Sequence, residues 1–143
     1  FLSLKILTCS ILVYIVIYFF EINLELKKCF KIILYAESIP LITSIINTLY
    51  FYIYPPKVIE EIQNFNPLGL TNLFNINSIP KYLLYPIQQL NLFEVAYWFL
   101  LAYGIKSLGN IDFKKALKIT SLSYGVGLAI WCIFIVFLQL QFS

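Results

Sequence analysis

Residues 119–143, "ITSLSYGVGLAIWCIFIVFLQLQFS", are an unbroken run of 25 uncharged residues, and this run limits the possible folds more than any other feature. As a helix rising ~1.5 Å per residue it is long enough to cross a ~30 Å hydrocarbon core. In lipid every backbone N–H and C=O must be satisfied by the protein itself, which leaves helices or closed barrels. The alternating segments of roughly ten residues that mark a barrel are absent. Helices are therefore expected.

The rest of the chain follows suit. Residues 6–20, "ILTCSILVYIVIYFF", carry no charge, and Lys5 at their edge is placed to snorkel towards the headgroups. Residues 39–54 form another uncharged run, of 16 residues, ~24 Å long and so short for the hydrocarbon core. The helix is expected to extend back through Phe30 to Glu37, with Pro40 permitting a bend near the interface. Only 12% of the 143 residues are charged, about half the share a soluble domain needs to cover its surface. The expected fold is an all-α integral membrane helical bundle forming one domain over residues 1–143. Its spans lie at about 4–20, 30–54, 91–108 and 119–140, with a loop at 55–90. Within that loop "KVIEEIQNF" has Val58, Ile59, Ile62 and Phe65 on one side of a short amphipathic helix, and "NPLGLTNLFNINSIP" reads as turn and loop.

Lysine placement orients these spans. Lys27, Lys28 and Lys31 follow the first span, and Lys106, Lys114, Lys115 and Lys118 lie between the third and fourth. The much longer middle loop has only Lys57 and Lys81. The positive-inside rule makes the two short turns cytoplasmic and the middle loop and C-terminus external. The start at Phe1, with no Met in the chain, reads as a fragment whose full form has a fifth span upstream. Displacing the sequence by 83 residues pairs Phe30 with Phe113, Lys31 with Lys114, Leu34 with Leu117 and Ser38 with Ser121, which suggests an internal repeat.

The polar residues within this apolar chain are the candidate functional groups. Glu37 shares a helical face with Phe30, Ile33 and Leu34, opposite Lys27, Lys31 and Ser38. It is either an intramembrane functional carboxylate or an interfacial residue in water or paired with a nearby Lys. Glu94 is either a second such group or a charge facing the positive end of its helix dipole. Asp112 reads as an N-cap ahead of "FKKALK". Ser121, Gly125 and Ala129 recur every fourth residue, a spacing that lets helix backbones approach closely, within this bundle or against a partner. Tyr97, Trp98, Tyr103 and Trp131 suit an interfacial belt or helix packing. Cys9 and Cys132 read as apolar fillers and Cys29, among lysines, as a surface thiol.

Enzyme motifs are missing: the chain has no His, no His/Cys metal cluster, no GxSxG and no phosphate loop. No cofactor is expected. A net charge of +3, with most lysines at membrane edges, argues against nucleic acid as a partner.

"CFKIILYAESIPLITSIINTLY", "NPLGLTNLF", "LNLFEVAYWFLLAYGIKSL" and "FKKALKI" together resemble the bacterial branch of the YIP (Ypt/Rab-interacting protein) domain family, over roughly residues 28–140. These are loose hydrophobic patterns rather than catalytic signatures. The resemblance implies five membrane helices, a cytosolic N-terminus and an external C-terminus. The cytosolic motif of the Rab-binding members is absent, so that activity is not implied. Some bacterial members of the family accompany ABC-type exporters. The expected role is a non-enzymatic accessory or scaffold subunit of a larger membrane complex in the bacterial inner membrane, with an organelle membrane as the alternative. Its lysine-rich turns, Lys27, Lys28, Lys31, Lys114, Lys115 and Lys118, would face anionic lipid. Two other roles stay open: a small transporter or channel using Glu37 and Glu94, and a supernumerary subunit of a respiratory or photosynthetic complex.

Overall fold

A computed structural model describes residues 2–57, 65, 69 and 79–142. Among the described residues every regular element is a helix: α1 (Leu2–Phe19), α2 (Leu26–Ala36), α3 (Ser38–Ile53), α4 (Lys81–Gln89), α5 (Leu92–Gly109), α6 (Phe113–Thr120), a π-helical turn (Ser121–Gly125) and α7 (Val126–Phe142).

Two hairpins organise the chain. α1 turns back into α2, and α5 into α6, and both turns close in the same way. Glu21 and Asn110 take left-handed conformations, with φ of 55° and 50°. The following amides of Ile22 and Ile111 reach back to the carbonyls of Ile17 and Lys106, each at 3.3 Å. This is the left-handed C-cap that satisfies the last carbonyls of a helix, and Asn tolerates it better than Glu. The two turns are also neighbours, since a Cβ on Gly109 would lie 3.3 Å from Ile22 and 3.4 Å from Leu24. Both lysine-rich turns therefore sit at one end of the molecule. The N-caps Glu25 and Asp112 lie 87 residues apart, four more than the displacement that pairs Phe30 with Phe113. The lead-in helices α2 and α6 thus align about one helical turn away from that pairing, whereas the turn closures at Glu21 and Asn110 lie 89 residues apart, so no single displacement matches both. Asp112 stands at the N-cap with extended backbone but makes no side-chain cap bond.

α2 is amphipathic. Cys29, Ile32, Ile33 and Ala36 are buried while Lys27, Lys28 and Lys31 are exposed. Cys29 is 0% exposed, so the surface thiol expected from its lysine neighbours is a core residue. It lies three, four and seven residues before its buried companions, on the face opposite the lysines. α6 has the same design, with Ala116, Ile119 and Thr120 buried and Lys114, Lys115 and Lys118 exposed.

Each amphipathic helix runs on into an apolar one. Leu26–Ile53 continues for 28 residues and Phe113–Gln141 for 29, and both are long and apolar enough to cross a membrane. α1 and α5, which hold the expected spans at 4–20 and 91–108, have 18 residues each. The junction at Glu37 follows from Pro40, which has no N–H to return to the Ala36 carbonyl. At the second junction Thr120, Ser121 and Ser123 hydroxyls donate to the carbonyls of Ala116, Leu117 and Ile119 at 3.0, 2.9 and 2.7 Å. Such bonds compete for the helix ladder and accompany its local widening.

The core lies where α1, α2, α5 and α6 meet, with Val13, Ile17, Ile33, Leu101, Ile105 and Ile119 fully buried. α3 by contrast has no buried residue. Along α7 Ile130, Ile133, Phe134, Phe137 and Leu140 are all exposed.

The segment read as an external loop at 55–90 holds a helix at its end. α4 includes Pro86, and Pro80, which reads as loop punctuation in the sequence, stands immediately before it. At that position no helical N–H is needed. α4 packs on α7, and Trp131 donates from Nε1 to the Tyr85 hydroxyl at 2.9 Å. Of the amphipathic pattern in "KVIEEIQNF", Val58, Ile59 and Ile62 lie outside the described residues, as does most of "NPLGLTNLFNINSIP". Phe65 stacks on Tyr50 with ring centroids 4.3 Å apart, and Gly69 forms an isolated bridge with Asn91.

Candidate functional site

Glu37 closes α2 and opens α3, and the break there points its side chain inwards. The residue is 5% exposed. Lys5 of α1 reaches its Oε1 from 2.9 Å, and the Tyr97 hydroxyl of α5 donates to the same oxygen at 3.1 Å. The Lys5 ammonium also lies 5.3 Å from the centre of the Tyr97 ring, a cation–π distance. The expected snorkelling of Lys5 is thus replaced by an inward ion pair. Its companions on the proposed apolar face divide: Ile33 is buried, but Phe30 and Leu34 are 36% and 53% exposed. Oε2 of Glu37 is buried and has no hydrogen-bond partner.

Glu94 lies in the first turn of α5, where the Asn91 side chain caps the helix by accepting from the Glu94 amide at 2.8 Å. This placement matches the helix-dipole reading of Glu94, yet its carboxylate has a second environment. Oε1 accepts from Trp98 Nε1 at 3.1 Å, and the Tyr124 hydroxyl interacts with the same group. Tyr97 and Tyr124 touch, with ring centroids 4.8 Å apart. The two carboxylates therefore belong to one network that ties α1, α2, α5 and the π-turn together.

Beside this network is a cavity of about 580 Å³, to which Lys5, Glu94, Tyr97 and Tyr124 all contribute. Glu37 stands behind Lys5 and Tyr97 rather than in its wall. The rest of the lining comes from α1, α3, α4, α7 and the start of α5, and is mainly apolar and aromatic. No group of His, Cys, Asp and Glu among the described residues is arranged to hold a metal ion.

The small residues separate. A Cβ on Gly125 would lie 2.7 Å from Trp98, so this glycine admits the indole that Glu94 holds. Ser121 is half-buried, whereas Ala129 is exposed. The six lysines of the cationic turns, Lys27, Lys28, Lys31, Lys114, Lys115 and Lys118, are exposed and lie away from the cavity. Sequence reading missed Lys5, Tyr124 and Gly104. A Cβ on Gly104 would fall 2.7 Å from the buried Ile32 side chain, so it lets α5 approach α2. Lys5, lone at the edge of an apolar run, carried a signal that one sequence could equally assign to lipid.

No family model, curated relative or solved structure matches this chain.

Proposed function

We propose that this chain is a YIP-like polytopic protein of the bacterial inner membrane, four of its helices crossing the bilayer, and that it serves as an accessory or scaffold subunit of a larger membrane complex. An ABC-type exporter is the favoured complex. The observation that carries the reading is the exposure of the two long apolar helices. Only 28% and 11% of the most apolar windows of Leu26–Ile53 and Phe113–Gln141 are buried, whereas an apolar core helix of a soluble domain is enclosed by its own fold. Apolar surface on that scale calls for lipid or for helices of another chain.

α3 adds a feature that lipid alone does not satisfy. On the side where Thr43, Ser44 and Thr48 donate their hydroxyls to carbonyls of their own helix, Asn47 Oδ1 is buried without a hydrogen-bond partner. Polar side chains of this kind join neighbouring membrane helices. The adjacency of the two lysine-rich turns supports a shared cytoplasmic side. The matched turn closures support a duplicated hairpin-plus-span unit, and so do the contacts: α1 packs on the π-turn as α5 packs on α3.

Purification in mild detergent through a tag on this chain, followed by mass spectrometry, tests the proposal. The expected result is stable recovery of a larger membrane complex with this chain in fixed proportion. A lone monomer or homo-oligomer that conducts solutes in liposomes would instead establish the small-transporter reading. That second reading is favoured by one observation, the presence of Lys5 and Glu94 in the wall of a single cavity, with Glu37 paired to Lys5 behind it.

A further inference from the structure

We propose that the cavity beside Glu94 is a binding site for a lipophilic monovalent organic cation. The charge balance comes first. Lys5 and Glu37 form an ion pair, while the polar partners of Glu94 are the neutral Trp98 and Tyr124 side chains. Among the described residues no lysine is within salt-bridge distance of Glu94. Lys5 also stands in the cavity wall, but its charge is matched by Glu37 at 2.9 Å. The three groups together therefore leave one net negative charge, centred on Glu94, which disfavours anions and attracts a single positive charge.

The walls select further. Tyr85, Phe93, Tyr97, Tyr124 and Trp131 surround the space that Glu94 faces. Aromatic faces attract cations, most strongly where water is excluded. Their bulk favours an apolar body around the charge over a compact, strongly hydrated ion. A volume of about 580 Å³ lies within the roughly 300–1,000 Å³ of sites that enclose drug-sized molecules. The route in is consistent with this chemistry. Leu4, Thr8 and Ser44 line the cavity and are exposed, so it opens between α1 and α3 on the flank of the helices. A ligand that partitions into the bilayer meets this opening directly. The inference does not depend on which complex the chain joins.

The test uses the full chain in nanodiscs of neutral lipid, with radiolabelled tetraphenylphosphonium as the probe and a neutral tetraphenyl analogue as competitor. Saturable binding is expected, with affinity for the cation falling about tenfold or more in Glu94→Gln. Glu94→Asp, which keeps the charge, should stay within about threefold of wild type, and the neutral analogue should compete poorly. Ser44→Phe, at an exposed lining position, should block binding by filling the mouth. Non-saturable uptake, equal affinity in Glu94→Gln, or full competition by the neutral analogue would overturn the proposal. If Glu94→Gln does not fold, undiminished binding in Ser44→Phe would overturn it equally.

Discussion

Among single residues, Glu37 and the two groups that hold it join α1, α2 and α5. A carboxylate this buried is tolerated because Lys5 and Tyr97 share one of its oxygens. Removing one partner of a buried pair leaves the other charge stranded, which costs more than removing both. Lys5→Met should lower unfolding stability in detergent by about 2–3 kcal/mol, below the full buried-pair range because Lys5 is partly exposed. Lys5→Met combined with Glu37→Gln should recover at least half of that loss. If the double variant is no better than Lys5→Met alone, the pair is not the reason Glu37 is tolerated. A second residue-scale test is Gly104→Leu, where the added side chain meets the branched, buried Ile32. Overpacking of this kind should cost about 1–3 kcal/mol. Wild-type stability of Gly104→Leu would mean that α2 and α5 are not in contact there. The helical spacing grouped Glu37 with Ile33, which is buried, but also with Phe30 and Leu34, which are exposed, so its inward direction was only partly legible in the sequence. Its partners, 32 residues earlier and 60 later, were not, because local periodicity says nothing about which helices cross.

At the scale of elements, the two hairpins carry most of what distinguishes this fold from a simple row of spans. Their closures are alike, but one uses Asn110 and the other Glu21 in the left-handed region. A non-glycine residue there costs roughly 1–2 kcal/mol, and Asn recovers part of that through local hydrogen bonding. Glu21→Gly should therefore stabilise the protein by about 1 kcal/mol, and Asn110→Gly by distinctly less. Thermal unfolding of both variants checks the order, and a destabilised Glu21→Gly would show that the turn is held differently. The amphipathic lead-ins and the apolar helices that follow were readable from lysine placement and uncharged runs. α4 was not, because it holds Pro86 and follows Pro80, and prolines mark turns more often than helices. The π-turn was equally hidden. The hydroxyls that donate to the preceding turn there resemble in sequence an ordinary small-residue packing face. Cys29 shows the opposite error, in which three lysine neighbours outweighed the helical period that buries it.

For the whole molecule, the proposed organisation across a bilayer rests on two cationic turns at one end and two largely unburied helices long and apolar enough to span a membrane. At ~1.5 Å per residue the 28-residue Leu26–Ile53 helix is about 42 Å long. A ~30 Å hydrocarbon core leaves its lysine-bearing first turns free to stand in the headgroup region. The most direct measurement is cysteine accessibility in intact bacterial cells, on a background in which Cys9, Cys29 and Cys132 are replaced by Ala. Lys28→Cys and Lys115→Cys report on the two cationic helices, and Tyr54→Cys on the far end of α3; all three positions are exposed. An impermeant maleimide should label Tyr54→Cys in intact cells, and should label Lys28→Cys and Lys115→Cys only after permeabilisation. Labelling of Lys28→Cys or Lys115→Cys from outside, or release of the chain from the membrane by alkaline carbonate, would contradict the account.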